Sequence, residues 1–145
     1  GFPRDEYGLA LAEAASGRAT CPRLAVGAAL FDRDGRVVST GYNGAAAGEP
    51  HCTDVGCVVN GDTGGCARSI HAEWNALDQA PDGRDLEGAP MYVTHAPCRG
   101  CARLIVVAGL GRVVFGRPYR SVGGIGLLVD GDVVVEWHGG ALTQR

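Results

Sequence analysis

Two short segments constrain this chain more than anything else in it: His71-Ala72-Glu73 and Pro97-Cys98-Arg99-Gly100-Cys101, with 26 residues between His71 and Cys98. One imidazole and two thiols are ligands of the kind zinc takes, and three protein ligands leave the fourth tetrahedral position to water. Cys98 and Cys101 are three apart, so they share one face of a helix's first turn. His71 and Glu73 are two apart, which on a helix flank would turn them roughly 200° from each other. They meet at one ion only if it sits beyond the helix's N-terminal end, and the same holds for Cys98 just after Pro97. The pattern therefore asks for a fold that aims two helix N-termini at one point. Two thiolates and an imidazole weaken zinc as a Lewis acid, and the positive ends of two helix dipoles partly offset this. Glu73 is not needed as a ligand. It is placed to take a proton from water at the fourth position and hand it on.

Taken singly, these residues have plainer readings. The Cys-x-x-Cys pair alone could be a redox pair or half of a structural zinc site, His71 a core histidine and Glu73 an exposed helix acid. Read jointly, in a helix–strand–helix context, they form a catalytic metal site.

The rest of the chain supplies that context. Residues 5–17 read as a helix with Tyr7, Leu9, Leu11, Ala12 and Ala15 apolar and Gly17 as its stop. Residues 24–31 and 36–42 read as strands joined by the hairpin signal Asp32-Arg33-Asp34-Gly35. Residues 70–80 read as a helix, 91–94 as a strand, 98–108 as a helix ended by Gly109, and 112–115 as a strand. Residues 122–129 read as a short Gly-rich helix, and 133–137 as a fifth strand. A hairpin followed by alternating helices and strands predicts an α/β fold, with a five-stranded mixed sheet and helices on both faces.

The chain has 145 residues, which predicts one domain over residues 1–145 with a real core. No apolar run is long enough to span a membrane, and Gly1-Phe2-Pro3 opens no basic-then-apolar leader, so a cytoplasmic protein is expected. The net charge is −3, and all thirteen basic residues are Arg, scattered rather than clustered. A protein that grips a polyanion normally shows a basic surface, so a nucleic-acid polymer is disfavoured as a partner.

Four cysteines remain: Cys21, Cys52, Cys57 and Cys66. Three of them lie in the Gly-rich stretch 43–66, which also carries His51. Four thiolates suit a closed structural zinc site that would order such a loop, with His51 as a possible substitute for one of them. Free buried thiols and two disulfides are the other readings, and a cytosolic setting argues against disulfides.

The His-x-Glu and Pro-Cys-x-x-Cys pairing is the signature of zinc-dependent deaminases, and the chain resembles the cytidine and deoxycytidylate deaminase superfamily, most closely its deoxycytidylate branch. The resemblance is carried by Cys21-Pro22-Arg23, Val26-Gly27-Ala28, Gly41-Tyr42-Asn43-Gly44, His51-Cys52, Ile70-His71-Ala72-Glu73 with Asn75-Ala76, and Tyr92-Val93-Thr94 before Pro97-Cys98. It implies a three-layer α/β/α cytidine deaminase-like fold in a homo-oligomer, from dimer to hexamer, that a nucleotide such as dCTP can regulate. It also implies a catalytic zinc on His71, Cys98 and Cys101, with Glu73 as the proton carrier. The implied reaction is hydrolysis of a cytosine amine, dCMP plus water giving dUMP and ammonia. By the same resemblance Asn43 contacts the sugar hydroxyl, the Ala72 backbone N–H meets the base carbonyl, and Tyr119 lies near the 5′-phosphate. Trp74, beside Glu73, reads as packing rather than a base platform.

The chain departs from the pattern at Ala45-Ala46, where the family has Thr-Pro, at Arg120-Ser121, where an acid often stands, and in its short, Gly-rich last helix. These changes touch the mouth and phosphate end of the pocket. They keep a second substrate class in view: a free base, a nucleoside, a nucleoside antibiotic or another aminated heterocycle. A tRNA or DNA deaminase is disfavoured by the absence of Lys. A zinc-stabilised binding module without turnover has no use for Glu73.

Overall fold

The computed structural model describes residues 1–21, 24–45, 69–81, 85–117 and 123–138. In chain order the described elements are α1 (Arg4–Ser16), β1 (Gly27–Phe31), β2 (Val37–Tyr42), β3 (Gly44–Ala45), β4 (Ser69–Ile70), α2 (Ala72–Gln79), β5 (Pro90–His95), α3 (Arg99–Ala108), β6 (Arg112–Arg117), α4 (Gly123–Asp130) and β7 (Val134–Trp137). The main sheet has five strands in the order β2-β1-β5-β6-β7. β1 pairs antiparallel with β2 and β5, whereas β5, β6 and β7 run parallel. This is the mixed five-stranded sheet that the alternation of elements predicts.

Side-chain alternation divides the core. Ala28, Leu30, Met91, Val93, Val113 and Phe115 join Ala72 and Ala76 of α2 and Ala102 and Ile105 of α3 in one cluster. Ala29, Phe31, Tyr92 and Val114 point the other way, onto Leu9 of α1. So α1 covers one face and the remaining helices the other.

The structure departs from the sequence reading where distant residues intervene. Residues 24–26 are not strand. The side chain of Asn43 takes their backbone groups instead, with Val26 N–H donating to Oδ1 at 2.7 Å and Nδ2 donating to Leu24 O at 2.6 Å. Ile70 belongs to no helix, because it pairs with Gly44 in the separate β3–β4 ladder. That ladder lies partly inside the stretch read as irregular. Trp74, expected to pack, is 52% exposed.

The α1 face is closed by an ionic cluster. Arg112 donates to Asp5 from Nη1 and Nη2 at 2.8 and 2.7 Å, and to Glu136 from Nε and Nη2 at 3.0 and 2.7 Å. The Tyr92 hydroxyl donates to Asp5 at 2.8 Å. Asp5, Glu136 and His138 stand close enough to hold a cation, and Arg112 is that cation. The guanidinium holds the Asp5 carboxyl down from the ordinary 3.8 to about 2. A pKa lower in the folded than in the unfolded chain gives stability that is present above about pH 4 and is lost as pH falls through 2. Asp5→Asn is therefore expected to flatten the fall in urea stability between pH 4 and pH 2. An unchanged slope would remove Asp5 from the account.

Candidate active site

His71 and Cys98 are the N-cap residues of α2 and α3. Both have extended backbone (φ −72°, ψ 152° and φ −70°, ψ 172°), and neither side chain caps its own helix. Their carbonyls already accept the first helical bonds, from Asn75 N–H and Ala102 N–H. Each side chain is thus free to project beyond its helix end. His71 Nδ1 lies 3.4 Å from Cys98 Sγ and 3.3 Å from Cys101 Sγ. The two N-termini do meet at one point, as the spacing demands.

These distances fit zinc. With Zn–S about 2.3 Å and Zn–N about 2.0–2.1 Å, a tetrahedral N–Zn–S edge is roughly 3.5 Å. His71, Cys98 and Cys101 could hold the ion. His71 is exposed, Cys98 half-buried and Cys101 buried, so the cluster is closed on the core side and reachable from the other. Without the metal the first proton leaves the cysteine pair readily. The remaining thiol, then His71, hydrogen-bond the Cys98 thiolate, which brings its pKa down to about 4. The same thiolate raises His71.

Glu73 is in the first turn of α2 and only 4% exposed. Burial pushes its carboxyl up to about 7, while its own helix backbone and His71 oppose the rise. A carboxyl poised near neutrality can both take and return a proton.

Two features that position this site went unread in the sequence. Gly41 of β2 lies so close to α2 that a Cβ there would stand 2.3 Å from Ala72 O and 2.6 Å from Ala76 N. The Asn75 side chain locks the same contact by donating to Tyr42 O at 2.8 Å. Gly124 of α4 does likewise for the second ligand loop, where a Cβ would fall 2.0 Å from Pro97 O. The signal was present as glycine, but the neighbour that required it was distant in sequence.

The residues expected around a substrate are only partly described. Asn43 is buried, 7% exposed, with both ends of its amide engaged by residues 24–26. Ala72 is fully buried and is the first residue of α2, so its N–H has no intrahelical partner. Cys21 is buried. Tyr119, His51, Cys52, Cys57 and Cys66 lie outside the described residues.

Comparison with known proteins bears on this arrangement. Residues 3–117 match the family model described as the cytidine and deoxycytidylate deaminase zinc-binding region. The deoxycytidylate deaminase of Mycobacterium phage D29 is 44% identical over 120 residues, which cover 77% of this chain and 92% of that protein. ComE operon protein 2 of Bacillus subtilis is 43% identical over 118 residues, 81% of this chain but only 61% of the relative's length. Among solved structures, the dCMP deaminase of cyanophage S-TIM5 in complex with dCMP and dUMP superposes with a TM-score of 0.78 at 30% identity, covering 91% of this chain and 94% of that one.

Proposed function

The chain belongs to the cytidine and deoxycytidylate deaminase zinc-binding family, and on that premise we propose that it hydrolyses the exocyclic amine of dCMP, giving dUMP and ammonia. The single observation that carries the reading is the convergence of His71, Cys98 and Cys101 within 3.4 Å beside a buried Glu73. Zinc, when bound, lowers the pKa of water from 15.7 toward about 7 and so supplies a nucleophile at neutral pH.

The chain's own residues do the rest. The first-turn N–H of Ala72 has no intrahelical partner and donates to the base carbonyl oxygen, which orients the ring. Glu73 takes a proton from the attacking water and gives it to the ring nitrogen beside the reacting carbon. It then takes the second proton and delivers it to the departing amine. A carbon–oxygen bond forms, the carbon–nitrogen bond breaks, and one water becomes the carbonyl oxygen, the hydrogen on the ring nitrogen and the one hydrogen that turns the departing amine into ammonia. Burial of Glu73 keeps bulk water from competing for its proton.

The relatives' names and the structure holding dCMP and dUMP support the nucleotide as substrate. A second reading, an unphosphorylated base, nucleoside or other heterocycle, is favoured by the departures from the family pattern at Ala45-Ala46 and Arg120-Ser121. Ammonia release from dCMP, deoxycytidine and cytosine decides between them. Turnover of dCMP at least tenfold above the others is expected, and turnover only of an unphosphorylated compound would reverse the assignment.

Two finer points belong to the same proposal. Cys21, Cys52, Cys57 and Cys66 hold a second, structural zinc, and the alternative set has His51 in place of one of the four. Metal analysis is expected to return two zinc ions per chain and one in Cys57→Ser; one in the unaltered protein would remove the site. The chain works as one domain in a cytoplasmic homo-oligomer, and Asn43 and Tyr119 serve the sugar and phosphate.

A further inference from the structure

His95 ends β5, three residues before Cys98, and takes no part in the chemistry above. Its surroundings fix its protonation. The Thr94 hydroxyl oxygen accepts the Gly27 N–H at 3.2 Å and lies 2.8 Å from His95 Nδ1. Thr94 is fully buried, so water cannot take its one hydroxyl hydrogen. Among the described residues Nδ1 is its only acceptor. With Nδ1 accepting that hydrogen, a neutral ring carries its proton on Nε2. Burial and the Arg117 guanidinium, whose strand pairs with His95, both act against a protonated ring.

The fold gives that fixed donor its place. Strand alternation puts His95 on the face of Met91 and Val93, which α2 and α3 cover. Those are the helices whose N-termini bring His71, Cys98 and Glu73 together. The residue sits at the carboxyl end of the parallel strands, where open α/β sheets take their ligands. It is half-buried, and among the described residues nothing accepts from Nε2.

We propose that His95 is a specificity-determining residue whose Nε2–H donates to an oxygen of the bound nucleotide. The proposal rests on the deaminase reading above. The acceptor can be a phosphate, sugar or base oxygen, and the choice of substrate tells them apart.

The test uses the full, zinc-loaded chain. His95→Leu removes the donor, whereas His95→Gln keeps an amide N–H near the Nε2 position. With the best substrate, His95→Leu is expected to raise KM about 5- to 30-fold with kcat within about 3-fold, and His95→Gln to stay within about 3-fold of the unaltered protein. A loss on dCMP alone assigns the phosphate. A loss shared by deoxycytidine assigns the sugar, and one shared by cytosine as well assigns the base. Nitrogen-15 NMR of the unaltered protein is expected to show the Nε2–H tautomer and a shift of Nε2, not Nδ1, on adding dUMP. An unchanged KM in His95→Leu, equal losses in both variants, or an Nδ1–H tautomer would overturn the proposal. Activity of the unaltered chain on deoxycytidine but not dCMP would instead sink the nucleotide reading, and the variant comparison on deoxycytidine would still decide His95.

Discussion

Glu73→Gln is expected to fold, to hold its zinc and to lose turnover by about 10²–10⁴-fold. The substitution keeps the size of the side chain and removes only its ability to carry a proton. The site tolerates a neutral group, since burial already pushes the carboxyl up to about 7. His71, Cys98 and Cys101 are untouched, so metal content measured by elemental analysis stays at that of the unaltered protein. Steady-state ammonia release reads the loss, and full activity in this variant would refute the proton-carrier role. The contrast matters because a ligand variant such as Cys101→Ser loses metal and activity together.

Gly41→Val carries the second large effect. Valine is among the best strand formers, so β2 itself has no reason to object. The obstacle is α2: the new Cβ would meet the Ala72 carbonyl oxygen at 2.3 Å and the Ala76 amide nitrogen at 2.6 Å. Both are backbone atoms that cannot rotate aside, and overpacking of this kind costs about 1–3 kcal/mol or more. Because the displaced turn is the one that presents His71 and Glu73, zinc affinity is expected to fall along with Tm. Gly126→Ala is the control. It lies in α4 with nothing within 4 Å of its would-be Cβ, and Ala gains about 0.5–1 kcal/mol over Gly inside a helix. A Gly41→Val protein as stable and as zinc-loaded as the control would show that β2 and α2 do not need their close approach.

The convergence of His71, Cys98 and Cys101 could be read without coordinates because its constraint is local. Two residues at the wrong spacing for a helix flank must sit at a helix end, and His71 and Cys98 are both N-caps. The core faces could be read too, since strand alternation puts Ala28 and Leu30 on one side and Ala29 and Phe31 on the other. What escaped was every feature whose cause lies far along the chain. Leu24 to Val26 read as strand, but the side chain of Asn43 takes their hydrogen bonds. Ile70 read as helix, but Gly44 pairs with it. The glycines of the last helix read as weakness, yet Gly124 is where α4 must come within reach of Pro97.

The amino-acid sequence by itself determined the grouping of His71, Cys98 and Cys101, the place of Glu73 beside them and the alternation of elements, because spacing and residue chemistry act over a few positions. Only the tertiary structure decided how His71 meets the two thiols at 3.3–3.4 Å and how the Thr94 hydroxyl comes to lie between the Gly27 N–H and the His95 ring. Both depend on backbone atoms from separate strands and helices coming into contact, and no local pattern encodes which atoms those are.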